Sequence, residues 1–223
     1  SNWVRQFRDE CQINEKANNE YNYMEEKLRL RKELEEIKKE IMLDEQNLIF
    51  TKEGQKPLFH IYPNSRILVI GQAPGIKAMK SRICWNDQSG KRLRSWMDID
   101  EDIFYNSGLI GIMPMDFYYP GKGKSGDLPP RKGFAQKWHE KILSHYNNIK
   151  LKILVGSYAQ NYYLEKFKKK TLTETVAAYK EYLPNYFPVV HPSPRNIMWQ
   201  LKNPWFEEEV VPQLKKEVKK LLK

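Results

Sequence analysis

Four short apolar runs limit what this chain can become: residues 66–70, 109–114, 151–156 and 187–190, the last ending at His191. Each is aliphatic or β-branched and bounded by Gly, Pro or turn residues, the signature of buried strands. Helical patterns separate them, at residues 90–97, 133–146, 157–167 and 173–183. Strands alternating with helices imply a parallel sheet covered on both faces. The expected fold class is therefore α/β: a three-layer α/β/α sandwich on a four-stranded parallel sheet, with an N-terminal helical extension. Residues 76–89 read as a loop. A last helix is expected from Asn203, as its cap, and Pro204, at its first position, with Pro212 bending or interrupting it.

The first part of the chain reads differently. Residues 1–19 are polar and weakly patterned, which fits a short helix or a disordered segment. Residues 20–46 carry Met24, Leu28, Leu34, Ile37 and Ile41 at helical spacing. This is an amphipathic helix laid on the domain edge; a coiled-coil arm is the other reading, with few and irregular heptads. A connector with Gly54, Pro57 and Pro63 follows. Residues 1–50 are taken as the extension and 51–223 as the α/β domain.

Charge divides at the same place. The net charge is +10, yet residues 1–50 hold 9 Lys and Arg against 12 Asp and Glu, or −3, leaving 29 against 16, or +13, for the rest. A basic body suits a polyanionic partner. No run of 18 apolar residues is present, so no membrane span is expected, and no signal-peptide pattern is visible. Cys11 and Cys84 are the two cysteines, too few for a disulfide framework, which makes a cytoplasmic protein the expectation.

Two stretches carry chemistry. After the fourth apolar run comes His191-Pro192-Ser193-Pro194-Arg195-Asn196. Its prolines forbid helix or central strand, so a rigid turn leaves a strand end bearing an imidazole, a hydroxyl, a guanidinium and an amide. After the first run comes Gly71-Gln72-Ala73-Pro74-Gly75, a tight loop whose glycines let backbone N–H groups approach a ligand. It has neither the dinucleotide-binding nor the Walker glycine spacing.

Together, in this order and about 120 residues apart, the two stretches resemble the uracil-DNA glycosylase superfamily over about residues 60–223. The first is similar to the Gly-Glu-Ala-Pro-Gly loop of its iron–sulfur branch, the second to the His-Pro-Ser-Pro-Arg-Asn turn of its single-strand-selective branch. The resemblance implies a monofunctional DNA base glycosylase, hydrolysing the N-glycosidic bond of uracil or another deaminated base in base excision repair. It implies DNA as partner; the two thiols and the scattered histidines His60, His139, His145 and His191 give an expectation of no cofactor and no metal, and a monomer is expected. His191 would donate a hydrogen bond to the departing base, helped by backbone N–H groups at Gln72 and Ala73 within the loop from Gly71 through Pro74 to Gly75. Ser193 and Asn196 would contact DNA, and Arg195 would fill the vacated stack.

The sequence departs from that family in three ways. Two thiols cannot ligate an iron–sulfur cluster. Gln72 and Ala73 stand where family members carry the acid that activates water. Asp87, in Cys84-Trp85-Asn86-Asp87-Gln88-Ser89-Gly90, is the expected substitute, with Trp85 stacking on the flipped base; the bland alternative has Trp85 in the core and Asp87 capping a helix. Gly108 replaces the asparagine that reads the base, so Asn106, two residues earlier on the same strand face, is the expected reader. Asp116 and Tyr118 are further candidates, and the glycine leaves room for deaminated purines.

The loop 116–131 mixes Tyr118 and Tyr119 with Lys122 and Lys124, which suits stacking on bases beside phosphates or an ordinary surface loop. His139 and His145 are expected on an exposed helix face. Rival functions are a non-catalytic nucleic-acid-binding protein on the same fold and an enzyme acting on free nucleosides or nucleotides.

Overall fold

The computed structural model describes residues 2–124 and 126–223, with backbone alone for residues 2–12. Its elements in chain order are α1 (Asn2–Leu43), α2 (Leu48–Lys52), β1 (Ile67–Ile70), α3 (Ile76–Ser81), α4 (Gln88–Met97), α5 (Glu101–Asn106) and β2 (Ile110–Ile112). A hairpin of β3 (Lys122–Gly123) and β4 (Gly126–Asp127) follows, then α6 (Phe134–Leu143), β5 (Leu151–Val155), α7 (Ser157–Leu164) and α8 (Leu172–Ala177). The chain ends with β6 (Tyr186–Val189), α9 (Ile197–Lys202) and α10 (Val211–Leu222).

The four apolar runs form one parallel sheet in the order β2-β1-β5-β6. Both faces are covered, as continuous apolar strands require. Alternate residues of β1 serve opposite layers. Ile67 and Val69 pack with Leu93 and Trp96 of α4, Phe104 of α5, and Leu214 and Val218 of α10. Leu68 and Ile70 pack with Ile37 and Ile41 of α1, Trp138 and Ile142 of α6, and Ala159 of α7.

α1 is a single helix from Asn2, longer than the sequence pattern suggested, and its two halves differ. Residues 13–26 are exposed, whereas Leu30, Leu34, Ile37 and Ile41 are buried. Ion pairs of Glu40 with Lys141 and Asp44 with Lys137 fasten it to α6. The connector packs into the core in part. Leu58, Phe59 and Ile61 are buried, and His60 forms an antiparallel bridge with Ile112. That bridge covers the open edge of β2, a place where an unpaired strand would invite association.

Several local expectations need correction. Residues 76–89 contain α3, which runs from its N-cap Gly75 to a left-handed Arg82, so they are not loop throughout. Asn203 does not cap the last helix; its amide donates to the Trp199 carbonyl at 2.8 Å and closes α9. Pro212 does interrupt the last helix. Residues Phe206–Val210 form a π-turn before α10, the register slip expected where a missing N–H leaves a carbonyl unclaimed. His139 is buried, not exposed: Nδ1 lies 2.7 Å from the Tyr163 hydroxyl and Nε2 lies 3.0 Å from the Pro114 carbonyl. Burial pushes its pKa down to about 4, so the ring is a neutral strut. His145, half-buried, has Nδ1 2.8 Å from Glu33 of α1.

One buried carboxylate organises the loop after β2. Asp116 is fully buried and takes both prongs of Arg131, at 2.7 and 2.8 Å. Arg131 also donates to the Gln46 carbonyl and the Asn47 side chain, at 2.8 and 2.7 Å, and lies over Phe50 and Phe134. Three distant segments thus meet on one guanidinium.

The halves of α1 should therefore respond differently. Removing residues 1–27 is expected to leave the thermal midpoint nearly unchanged. Ile41→Ala should lower unfolding stability by about 2–5 kcal/mol, the usual cost of truncating a buried aliphatic side chain. Chemical denaturation of both proteins checks this; a neutral Ile41→Ala would show that α1 is not part of the core.

Candidate active site

In the sheet order, β1 is followed in the chain by β2 on one side, and β5 by β6 on the other. The crevice beyond the carboxyl ends of β1 and β5 is therefore the topological switch point, where open α/β sheets bind ligands. Gly71 to Gly75 leave β1 there, and His191 leaves β6. Between them lies a cavity of about 590 Å³. Its walls include Gly71, Gln72, Ala73, Pro74, Gly75, Trp85, Asp87, His191, Ser193, Arg195 and Asn196. Two stretches about 120 residues apart in sequence thus share one hollow.

His191 is held by its own turn. Its Nδ1 accepts from the Ser193 N–H at 3.2 Å, so the proton of the neutral ring sits on Nε2 and can be donated to a ligand. The Asn196 amide donates to the His191 carbonyl at 2.8 Å. The Ser193 hydroxyl accepts from the Arg195 N–H at 3.3 Å. Ser193 and Asn196, expected as DNA contacts, thus also brace the histidine. Burial pushes the imidazole below its ordinary pKa, opposed by Asp87 and Asp127, whose charges favour the protonated ring.

Trp85 faces that imidazole, with ring centroids 5.6 Å apart, and it also packs against the core. Its backbone is left-handed, with φ of 58°, a strained state for a bulky residue that persists only when the surroundings enforce it. Here the Tyr105 hydroxyl donates to the carbonyls of Cys84 and Trp85 at 2.9 and 3.2 Å, and Arg94 reaches the Trp85 carbonyl at 3.4 Å. Two glycines make room for it. A Cβ on Gly90 would lie 1.7 Å from the Trp85 carbonyl oxygen, and one on Gly71 would lie 2.8 Å from the indole ring. Asp87 caps α4, its Oδ1 accepting from the Gly90 N–H at 2.8 Å. The helix-cap alternative is therefore realised, while the same carboxylate lines the cavity.

The first loop is tied to the loop after β2. The carbonyls of Gly71 and Gln72 accept from the N–H groups of Met115 and Asp116, at 2.8 and 3.2 Å. The Gln72 amide donates to the Leu128 carbonyl at 2.8 Å, so its side chain is turned to the hairpin. Among the described residues, the backbone N–H groups of Gln72 and Ala73 donate to no protein acceptor. Arg195 lies against the hairpin: a Cβ on Gly126 would sit 2.7 Å from its Nη1. Asp127, next in the hairpin, lines the cavity as well. The sequence pattern did not single it out. Its signal was the Gly-rich setting, Gly121 through Gly126, in which a tight hairpin could aim a side chain inward.

Other candidates are not in the cavity. Asn106 lies at the end of α5, not on a strand; its amide donates to Asp102 at 2.8 Å, and it lines a separate cavity of about 580 Å³ with His60 and Tyr62. The cause is the Asp100 cap, which starts a helix where an extended entry was expected. Asp116 is consumed by Arg131. Tyr118 is buried against Phe50, so of the loop aromatics only Tyr119 stays partly open. Burial pushes the Cys84 thiol up to about 12, which makes it an unreactive wall. Among the described residues no group of three or more His, Cys, Asp or Glu could hold a metal ion, and no helix is long and apolar enough to cross a membrane.

The sequence model of the Uracil DNA glycosylase superfamily matches residues 59–215. The match takes in both cavity-lining stretches and the hairpin between them. It begins beyond α1.

An NMR titration of the histidine rings should give His191 a midpoint below the ordinary 6.5. Asp87→Asn should lower it further, because one charge that favours the protonated ring is gone. An unchanged midpoint in that variant would mean that the two side chains do not share the cavity.

Proposed function

The chain belongs to the uracil DNA glycosylase superfamily, and from that premise we propose that it hydrolyses the N-glycosidic bond of uracil or another deaminated base in DNA, without a cofactor. The observation that carries this reading is a neutral imidazole, with Nε2–H to give, packed against an indole ring in the wall of a cavity at the sheet's switch point. Base release needs the base flipped from the stack, its developing negative charge stabilised, and water delivered to the opposite face of the sugar.

Trp85 offers the flipped base a face to stack on. His191 Nε2–H and the N–H groups of Gln72 and Ala73 form the anion cradle. Such donors act strongest in a closed site, where no water competes. Asp87 supplies a carboxylate that orients the attacking water and faces the sugar cation. Ser193, Arg195 and Asn196 contact the DNA strand, with Arg195 as the wedge, and the +13 body draws the polyanion. Gly108 lies before the amino end of β2 and does not line the cavity, so it does not set which deaminated base fits.

One observation favours a binding protein without catalysis: Gln72 and Ala73 put no acid in the first loop. Oligonucleotides containing uracil, hypoxanthine or xanthine, scored for abasic sites, separate the two. Wild type should open at least one of them. His191→Ala should lower kcat by about 100-fold or more, and Asp87→Asn by a similar factor, the range for a lost anion donor or acid–base group. Wild type that releases no base, yet binds DNA, would establish the non-catalytic reading.

Arg195→Ala should slow release from duplex more than from single strands, because only duplex must be unstacked. Equal losses on both would leave Arg195 as a phosphate contact alone.

A further inference from the structure

The cavity holds a second carboxylate, and the reaction has work for it. Asp127 closes the β3–β4 hairpin against the first loop. Its Oδ1 accepts from the Tyr119 hydroxyl at 3.3 Å. Its Oδ2 points to Gly75, where an added Cβ would lie 3.9 Å away. The hairpin is pinned in that position by the bond from the Gln72 amide to the Leu128 carbonyl, 2.8 Å long, and by Arg195 lying over Gly126. A loop that carries no acid of its own is therefore met by an acid from across the cavity.

The two carboxylates are not equivalent. Asp87 has one oxygen committed to the Gly90 N–H at 2.8 Å, and moving it would uncap α4. Asp127 accepts no backbone N–H among the described residues, and its Oδ2 accepts no hydrogen bond there. It is an exposed side chain on a hairpin rim, open to water. Resting on the glycosylase reading above, we infer that Asp127 is a catalytic carboxylate of this site: it takes the proton of the water that Asp87 orients. The water oxygen forms a bond to the sugar C1′ as the bond from C1′ to the base nitrogen breaks. The bonding pair leaves with the base, whose charge His191 holds, and the water proton goes to Asp127, which returns it to solvent. The base is protonated from solvent after release. The acid absent from Gln72 and Ala73 is thus supplied by the hairpin.

Asp127→Asn in the full chain tests this, because asparagine keeps the shape and can still accept from Tyr119. Single-turnover base release and affinity for an abasic-site duplex are measured together, with Asp127→Glu and Tyr119→Phe alongside. The expected result is a rate loss of about 30-fold or more for every base that wild type releases, the scale of a lost general base. Abasic-duplex affinity should change by less than about 3-fold, since the phosphate contacts stay. Asp127→Glu should recover part of the rate, and Tyr119→Phe should lose less than Asp127→Asn. Turnover of Asp127→Asn close to that of an active wild type overturns the inference and leaves the glycosylase reading standing. So does a rate loss matched by an equal loss of abasic-duplex affinity or by a lower melting point, which would make Asp127 a hairpin support. An inactive wild type overturns both.

Discussion

The bidentate contact between Asp116 and Arg131 is the constraint on which the rest of this architecture depends. Asp116 sits four residues beyond the end of β2 and has no exposure to water. An uncompensated charge there would be untenable; removing one partner of such a pair typically costs about 3–5 kcal/mol. Arg131 answers that charge and carries α2, through Phe50, and α6, through Phe134, with it. The sixteen-residue segment that begins and ends on this pair is thereby closed into a loop. Its hairpin is held at the cavity by the Gln72 amide and by Arg195 as well. A charge pair hidden in the second layer thus sets where the front wall of the site can stand.

The opposite wall is set by side chains that grip backbone groups. Trp85 holds an unfavourable φ because Tyr105 and Arg94 grip the carbonyls around it. Gly71 and Gly90 leave the volume its ring and carbonyl occupy. The histidine across from it is aimed by the N–H of Ser193 and the amide of Asn196. Each group in the cavity is therefore positioned by a neighbour that cannot easily move. Preorganisation of this kind lets donors act on a developing charge without first reorienting.

Much of this could be read from the residues alone, and the parts that could not share a cause. The parallel sheet followed from four apolar runs, since alternation of strand and helix leaves few topologies. The cavity followed from two strand ends, because tight loops and prolines dictate where chain direction changes. Asn106 was misplaced because the contest between helix and strand there was decided by a single cap, Asp100. Tyr118 was a candidate for the site and His139 was placed on an exposed helix face because nothing local shows that Arg131, Tyr163 and Pro114 wait for them. Asp127 escaped notice for the same reason. Its partner Tyr119 and its neighbour Gly75 are fixed by how a hairpin folds back, and hairpin direction is not written in hydrophobic periodicity.

The division of charge between arm and body has a consequence for motion before contact. With about −3 on the N-terminal fifty residues and +13 on the remainder, the molecule is an electric dipole as well as a cation. In the field of any extended polyanion it feels a torque as well as an attraction. That torque turns the N-terminal arm outward and the basic body inward while the partners are still separated by roughly a Debye length, about 10 Å at moderate salt. Orientation is then decided before collision, so fewer encounters are wasted on the wrong face. Added salt would blunt this aiming and shorten its range, and the N-terminal arm would act as a rudder without touching the polyanion.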